Sequence, residues 1–506
     1  MRPSTTLLLL LLATVTFSSS SPTSQRQALH HHGSNSTGSR CLPHERDALL
    51  VFKHGITGDP AGRLASWREG VEEDCCQWKG VQCSSQTGHV VAIRLRNEDP
   101  ELYYDKTPAL TGQISPSLLL LHHLEHLDLS LNNVSGPAGR VPEFLGLLKN
   151  LRYLNLSSTS FFGRGYQICL YSTSHMDGVD LGGIIDWAHV VNRIPSLKVL
   201  RLSNSYLESV NQSLPHLNLT YLEELSLSGN PFDNTIASCW FWNVTSFHHL
   251  ELAGTSLYGQ IPEVLGVMTS LRVLDFSGSD GSIDIMRANM RNLCNLEILD
   301  ISSSNFNLNG GGDIMGLLPQ CPQSKLKELY LGENIFTGVL PDWIVHRWSS
   351  LLILDLHSNQ FTRPVPSGIG MLSDLATLDV SNNNFSGHVP SEIGMLYNLF
   401  TLDLSNNNFS GDVPSDIGML SNLFTLDLSS NKFTGHVPSE ISMLNNLSNL
   451  IISNNEFTGP VLYDIGMINS LGHLDLSNNK FTGPMPSEIG MLNNLWSLVI
   501  SNNQFT

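Results

Sequence analysis

The sequence predicts an α/β solenoid in which each coil carries one short strand and a return segment. Three observations predict it. One phrase, Leu-x-x-Leu-x-Leu-x-x-Asn-x-Phe-x-Gly, restarts every 24 residues, with first leucines at Leu351, Leu375, Leu399, Leu423, Leu447, Leu471 and Leu495. Looser copies run backward through Leu326, Leu296, Leu271, Phe247, Leu222, Leu197 and Leu151 to Leu124, at spacings of 24 to 30 apart from one step of 46 between Leu151 and Leu197. Four of the eight cysteines, Cys41, Cys75, Cys76 and Cys83, gather ahead of the first copy, where the end of a stack needs cover.

In chain order, Met1-Arg2, the apolar run Leu7 to Phe17 and the small residues Ser18 to Ser21 have the layout of a secretory signal peptide over 1–21, which predicts folding outside the cytosol. Residues 22–40 read as a disordered lead, and the triplet His30 to His32 as low-complexity sequence and not a metal site. A cap over 41–89 follows. In a secreted chain its cysteines are read as disulfides. Adjacent Cys75 and Cys76 are poor partners for each other, which leaves two pairings, of which Cys41–Cys75 with Cys76–Cys83 is favoured. Cys294 and Cys321 fall on neighbouring coils and are candidates for a third bridge, while Cys169 and Cys239 have no firm assignment. The solenoid itself is expected over 90–506, opening with the strand Val90 to Leu95 and running for about sixteen coils. It contains one irregular excursion over 162–195 that lacks the strand phrase. The chain stops at Thr506 partway through a coil and shows no C-terminal cap, which predicts an incomplete product of a longer gene. After the leader no apolar run reaches the length of a membrane span.

Within a coil, Leu402 and Leu404 lie two apart and point inward, while Asp403 points outward. Asn407 sits where the strand bends away, and its amide can satisfy backbone groups of its own and the adjacent coil. The same place is held by Asn132, Asn230, Asn334, Asn359, Asn383, Asn431, Asn455, Asn479 and Asn503, with Thr159, Ser205, Thr255, Ser279 and Ser304 in the irregular coils. A continuous ladder of small hydrogen-bonding side chains is therefore expected. Roughly seven apolar side chains per coil, at ~1.5–3 kcal/mol each when buried, suffice for a continuous core. Gly411 to Pro414 and its copies at Gly259, Gly387 and Gly435 follow the strands and suit an extended outer segment.

The formal charge of −18 argues against nucleic acid and anionic membranes as partners. Protonation of most of the nineteen histidines, whose reference pKa is about 6.5, would bring it near zero and predicts pH-dependent affinity between about pH 5 and 7. No nucleophile elbow, phosphate loop, His-Glu-x-x-His or zinc-spaced cysteine set is present, so neither catalysis, a cofactor nor a metal is expected.

The repeat with its Gly-x-Val-Pro segment resembles the plant-specific subtype of leucine-rich repeat, which implies a second, outer sheet and a twisted right-handed superhelix. The stretch from Cys41 through Glu45, Phe52 and Leu64-Ala-Ser-Trp67 to Cys75-Cys76-Gln-Trp78 and Cys83 is similar to the N-terminal cap of plant leucine-rich-repeat receptors. Ser238-Cys239-Trp240-Phe241 and Leu293-Cys294-Asn295-Leu296 bring it closest to receptor-like proteins of the ethylene-inducing-xylanase-receptor-like group. That resemblance implies a cell-surface ectodomain sensing an extracellular peptide, glycan or protein in defence or development, with a leucine-rich-repeat receptor kinase as co-receptor when the product is full-length. Complete members carry more coils, a C-terminal cap and a membrane anchor. For the chain as written, the expected location is the secretory pathway and apoplast. The alternatives are a secreted polygalacturonase-inhibitor-like protein and an inactive truncated relic.

Outward strand positions form columns on the concave face. Asp128, Asp275, Asp300, Asp355, Asp379, Asp403, Asp427 and Asp475 share one column, but Leu-Asp-Leu-Ser is the default phrase of the repeat, so the stripe is read as structural. Coils from Leu375 to Leu471 vary little and offer little to discriminate a ligand. Variety lies earlier, at Tyr153, Arg201, Glu224, His248, His249, Glu251, Arg272, Tyr330 and His357, and these are the candidate ligand contacts. Sequons stand at Asn35, Asn133, Asn155, Asn211, Asn218, Asn243, Asn384, Asn408 and Asn446. Asn155 projects from a strand, so a glycan there would block the face beside Tyr153.

Overall fold

A computed structural model describes residues 40–70, 74–97, 109–136, 141–158, 187–207, 210, 214, 216–279, 283–285, 288–304 and 313–506. The leader, residues 22–39 of the lead with Asn35, and Thr159, Cys169 and Asn211 lie outside the described residues. One long sheet organises the rest. Sixteen parallel strands succeed one another from Val90–Arg94 to Ser497–Val499, and Val81–Cys83 pairs antiparallel with the first of them. Pairing is linear, each strand bonding to the coil before and the coil after, so the sheet is open at both ends. Strand Tyr153–Asn155 pairs directly with Val199–Arg201, so the long step between those coils adds no strand to the sheet.

Register follows from the leucines. Leu378, Leu402 and Leu426 face each other across adjacent strands and are fully buried, because a slip of one residue would turn the apolar set outward. In the coil from Leu399, the side chains of Leu399, Leu402, Leu404, Phe409, Val413, Ile417 and Leu420 are all buried. The phenylalanines of successive coils stack into a spine, with Phe385–Phe409 centroids 6.2 Å apart and planes within 2°. On the far side, strands such as Asn384–Gly387 and Asn408–Gly411 form the outer sheet. It is laid down in separate segments of two to five strands, not as one sheet. Gly411 adopts φ 80°, the left-handed turn that releases the chain from this strand toward Pro414. The 3₁₀ turns Ser391–Met395 and Ser415–Met419 then return the chain, packed so closely that a Cβ on Gly394 would collide with the carbonyl of Asp416.

The asparagine ladder links the coils. Asn407 Nδ2 donates to the carbonyl of Val380 in the preceding coil at 2.9 Å and to Ser405 in its own at 3.0 Å. Its Oδ1 accepts from the Phe385 N–H at 2.9 Å. Ser205 and Ser304 keep the donor half of this link, to Leu156 at 3.1 Å and Phe276 at 2.7 Å. Thr255 and Ser279 instead turn their hydroxyls to carbonyls of their own coils, Leu252 and Phe276. Ser205 and Ser304 also reach carbonyls of their own coils, Ser203 at 3.3 Å and Ser302 at 2.8 Å.

The cap seats on the first parallel strand. Helix Pro43–Gly55 buries Glu45, which accepts from the Val90 N–H at 2.7 Å and bonds His89 Nδ1 at 2.9 Å. Trp67 lies between Phe52 and Trp78, with centroids at 6.0 and 5.6 Å. Arg63 enters the start of the ladder and donates to Asn132 Oδ1 at 3.3 Å. Disulfides join Cys41–Cys75 and Cys76–Cys83, the favoured pairing, and Cys294–Cys321 closes the third bridge between neighbouring coils. Cys239 is a buried free thiol, its pKa pushed up to about 12 by burial. Among the described residues no helix is long and apolar enough to cross a membrane.

Candidate recognition surface

Every strand of the long sheet sends two side chains outward, and the residue just before the strand stands on the rim. Three columns result. The rim column begins as alternating charge: Lys198 meets Glu223 at 2.6 Å, and Glu297 lies between Lys327 at 2.7 Å and Arg272 at 4.0 Å. These lysines, together with His248 and Arg272, stand beside the strand face, so His248 and Arg272 belong to the rim and not to the group formed by Tyr153, Arg201 and Glu224.

On the face itself, His126 and Tyr153 of adjacent strands stack at 4.0 Å with planes 8° apart. Burial first, then the neighbouring Arg94, lowers the His126 pKa to about 4. Asn155, next along the strand, is buried; its Nδ2 donates to the Tyr153 hydroxyl at 3.3 Å and its Oδ1 accepts from the Ser157 N–H at 3.0 Å. The sequon asparagine is therefore part of the packing. Two strands on, Glu224 sits between Arg201, which donates to it at 2.9 Å, and His249, whose Nδ1 lies 3.7 Å away. Burial opposes the Arg201 charge, but the Glu224 bond and nearby negative charge outweigh it and raise its pKa. Glu251 shares the strand of His249 and faces Asp275 across the sheet.

Tyr330 and His357 form a second group, separated from the first by the strands Val273–Asp275 and Ile298–Asp300. Tyr330 donates its hydroxyl to Glu328 at 3.1 Å, and burial together with Glu328 raises its pKa. His357 Nδ1 bonds Asp355 Oδ1 at 2.6 Å. That bond, opposed by burial and helped by the surrounding carboxylates, lifts its pKa to about 9. Ligand atoms of Asp355, His357 and Asp379 all lie within 4.8 Å of one another, a spacing that could hold a metal ion, although the ring nitrogen is already bonded to Asp355.

The aspartate column has a structural task. Each carboxylate accepts from the backbone N–H two residues on: Asp379 from Ser381, Asp403 from Ser405 and Asp427 from Ser429, at 2.8 to 2.9 Å. In-register pairing also sets these like charges side by side. Burial, and then the neighbouring aspartate, pushes Asp403 and Asp427 up to about 6; Asp300 reaches about 6 chiefly through burial. The groups of this face that titrate between pH 5 and 7 thus include carboxylates, while His126 is neutral and His357 charged throughout that window.

Sequence reasoning missed the rim. From Leu352 to Phe424 it is apolar: Phe400 and Phe424 stack at 4.9 Å with planes 6° apart, and Phe400 is 49% exposed. Aligning the residue before each strand phrase would have shown both this change and the charged alternation before it.

Residues 42–84 match the model of the leucine rich repeat N-terminal domain, and 324–385, 398–420, 422–444 and 470–492 match leucine rich repeat models. The chain is 35% identical over 285 residues to receptor-like protein EIX1 of Solanum lycopersicum, covering 49% of this chain and 27% of the relative. To receptor-like protein EIX2 of the same species it is 32% identical over 351 residues, 59% of this chain and 34% of the relative. It therefore spans about a third or less of the length of these relatives. Among solved structures it is similar to a TDR receptor, with TM-score 0.66 and 30% identity over 85% of this chain and 67% of that one. It is also similar to the plant peptide hormone receptor RGFR1 in complex with RGF2, with TM-score 0.59 and 25% identity over 85% and 68%. The cap, the ladder and the repeat agree with these matches: the chain carries a leucine-rich-repeat N-terminal domain followed by leucine-rich repeats, and it is similar to plant receptor-like proteins.

Proposed function

We propose that this chain is the ligand-recognition part of a plant receptor-like protein, exported through the secretory pathway and displayed at the cell surface, which binds an extracellular peptide, glycan or protein on its strand face in defence or developmental signalling. Recognition works by adhesion, and a leucine-rich-repeat receptor kinase serves as co-receptor for the full-length product. The observation that carries this reading is the group Tyr153, Arg201, Glu224 and His249. It places an aromatic face, a guanidinium, a carboxylate and an imidazole on neighbouring strands, half-buried, with Tyr153 held by His126 and Asn155, and Glu224 between Arg201 and His249. Partly desolvated aromatic and arginine side chains held rigid before binding are the usual anchors of an interface. The solved relative RGFR1, which holds RGF2, supports a peptide as one ligand class.

The test is to screen the immobilised chain against arrays of synthetic peptides and plant-wall oligosaccharides, then footprint the strongest binder with hydroxyl radicals. Tyr153, His249 and Tyr330 are expected to lose labelling, while the exposed Met371, Met395 and Met419 of the return turns keep it. Protection of those methionines with the strand face still labelled would overturn the reading.

A further inference from the structure

The coils whose sequence varies least carry a second surface. Across Ile353–Asp355, Thr377–Asp379, Thr401–Asp403 and Thr425–Asp427 the strands pair in register, so the aspartates stand about 4.8 Å apart in one column. Along the rim and the first outward column several carboxylates have cationic partners: Glu223 has Lys198, Glu224 has Arg201, and Glu297 has Lys327. Among the described residues no lysine or arginine pairs with Asp379, Asp403 or Asp427. Like charges opposite one another on adjacent strands are destabilising, and here only the serine hydrogen bonds of each turn and the His357 charge at one end offset them. Their raised pKa values are the expression of that burial and crowding.

On the rim of the same strands the side chains are apolar. Leu352 is 37% exposed, and the Phe400–Phe424 stack presents aromatic surface to solvent just before Thr401 and Thr425. The threonines between rim and aspartates are small, which leaves the two columns accessible together. An aromatic pair parallel to a row of unpaired carboxylates is complementary to a chain that offers both positive charge and apolar surface, since a lysine or arginine can pair with a carboxylate while its stem, or its charge, lies against a phenyl face.

We infer that the surface bounded by Leu352, Phe400, Phe424, Asp379, Asp403 and Asp427 binds a basic peptide segment in which lysine or arginine alternates with apolar side chains. The basic groups pair with the aspartates and the apolar ones cover the phenylalanine stack. This goes beyond the surface around Tyr153 and His249, and it gives the uniform coils a partner of their own.

The probe is a fluorescent octapeptide of alternating Lys and Phe, with alternating Glu and Phe as control, titrated by anisotropy at two salt concentrations. The Lys-Phe peptide is expected to bind, more weakly at high salt, and the Glu-Phe peptide not to bind. Asp403→Asn with Asp427→Asn should weaken binding at least tenfold; the amide keeps the acceptor that each carboxylate gives to its serine N–H, so the fold persists. Phe400→Ala with Phe424→Ala should weaken it at least fivefold. Neutralising the exposed Asp374 and Asp464 on the return segments should leave affinity within twofold. Equal losses from the Asp374 and Asp464 pair would mean that general negative charge holds the peptide, and would overturn the inference. So would unchanged affinity in both face variants. Loss on alanine substitution of Tyr153, His249 and Tyr330, with the Asp403 and Asp427 variant unaffected, would place the peptide on the first surface, sinking this inference and leaving the proposed function standing.

Discussion

His357 Nδ1 lies 2.6 Å from Asp355 Oδ1, and this bond holds an imidazolium at the head of a column of carboxylates. With its pKa raised from 6.5 to about 9, His357 contributes stability that is fully present below pH 6.5 and is lost as pH rises through 9. Titration of its ring protons by NMR should show a midpoint near 9, and Asp355→Asn should move it down toward 6.5. A midpoint near 6.5 in the parent protein would contradict the bond.

The aspartate column has the opposite dependence. Asp300, Asp403 and Asp427 have folded pKa values near 6 against an ordinary 3.8, so their ionised forms cost stability above pH 6, and that cost is released as pH falls toward 3.8. Asp403→Asn should therefore raise stability at pH 7, by on the order of 1 kcal/mol, and give no gain at pH 3.5. Thermal melts of both proteins across this range check it. A gain that does not change with pH would show that repulsion is not its source.

Asn407 reaches back to Val380 and Phe385 as well as to its own turn. Asn407→Ala leaves the buried Phe385 N–H unsatisfied and the Val380 carbonyl with only the Asn383 amide, and should cost about 1–3 kcal/mol, read by urea unfolding. Asn407→Ser should cost less, since Ser205 and Ser304 show that a hydroxyl preserves the donor to the preceding coil.

Asn155 is buried, with both ends of its amide hydrogen-bonded, whereas the sequon asparagines Asn133, Asn218, Asn243, Asn384 and Asn446 are exposed. Glycopeptide mass spectrometry of the secreted protein should find glycan on exposed sequons and none at Asn155. An occupied Asn155 would mean that the face beside Tyr153 is covered.

Much of this fold was legible because the leucine phrase fixes both period and register: Leu402 can face only Leu378 and Leu426 if all three are to be buried. The ladder was legible for the same reason, one small polar residue per coil at the bend. What the repeat does identically in every coil could be read, the ladder bonds to the adjacent coil included, and what side chains outside the phrase do across the sheet could not. Asp403 reads as structural from the default phrase, yet its bond to the Ser405 N–H is not visible there, and Phe400 and Phe424 look like two scattered aromatics until register stacks them. His126 was passed over for the same reason, since its partner Tyr153 is 27 residues away in sequence and 4.0 Å away across the sheet. Thr255 and Ser279 occupy ladder positions in the sequence, but which carbonyl a hydroxyl turns to is not visible in a list of polar residues.

The strand face around Tyr153, His249 and Tyr330 is the proposed ligand surface. The most direct test is calorimetric affinity for the strongest array ligand, comparing the parent with the triple variant Tyr153→Ala, His249→Ala, Tyr330→Ala at matched melting temperature. The account predicts at least a tenfold loss; equal affinity in the two proteins would contradict it.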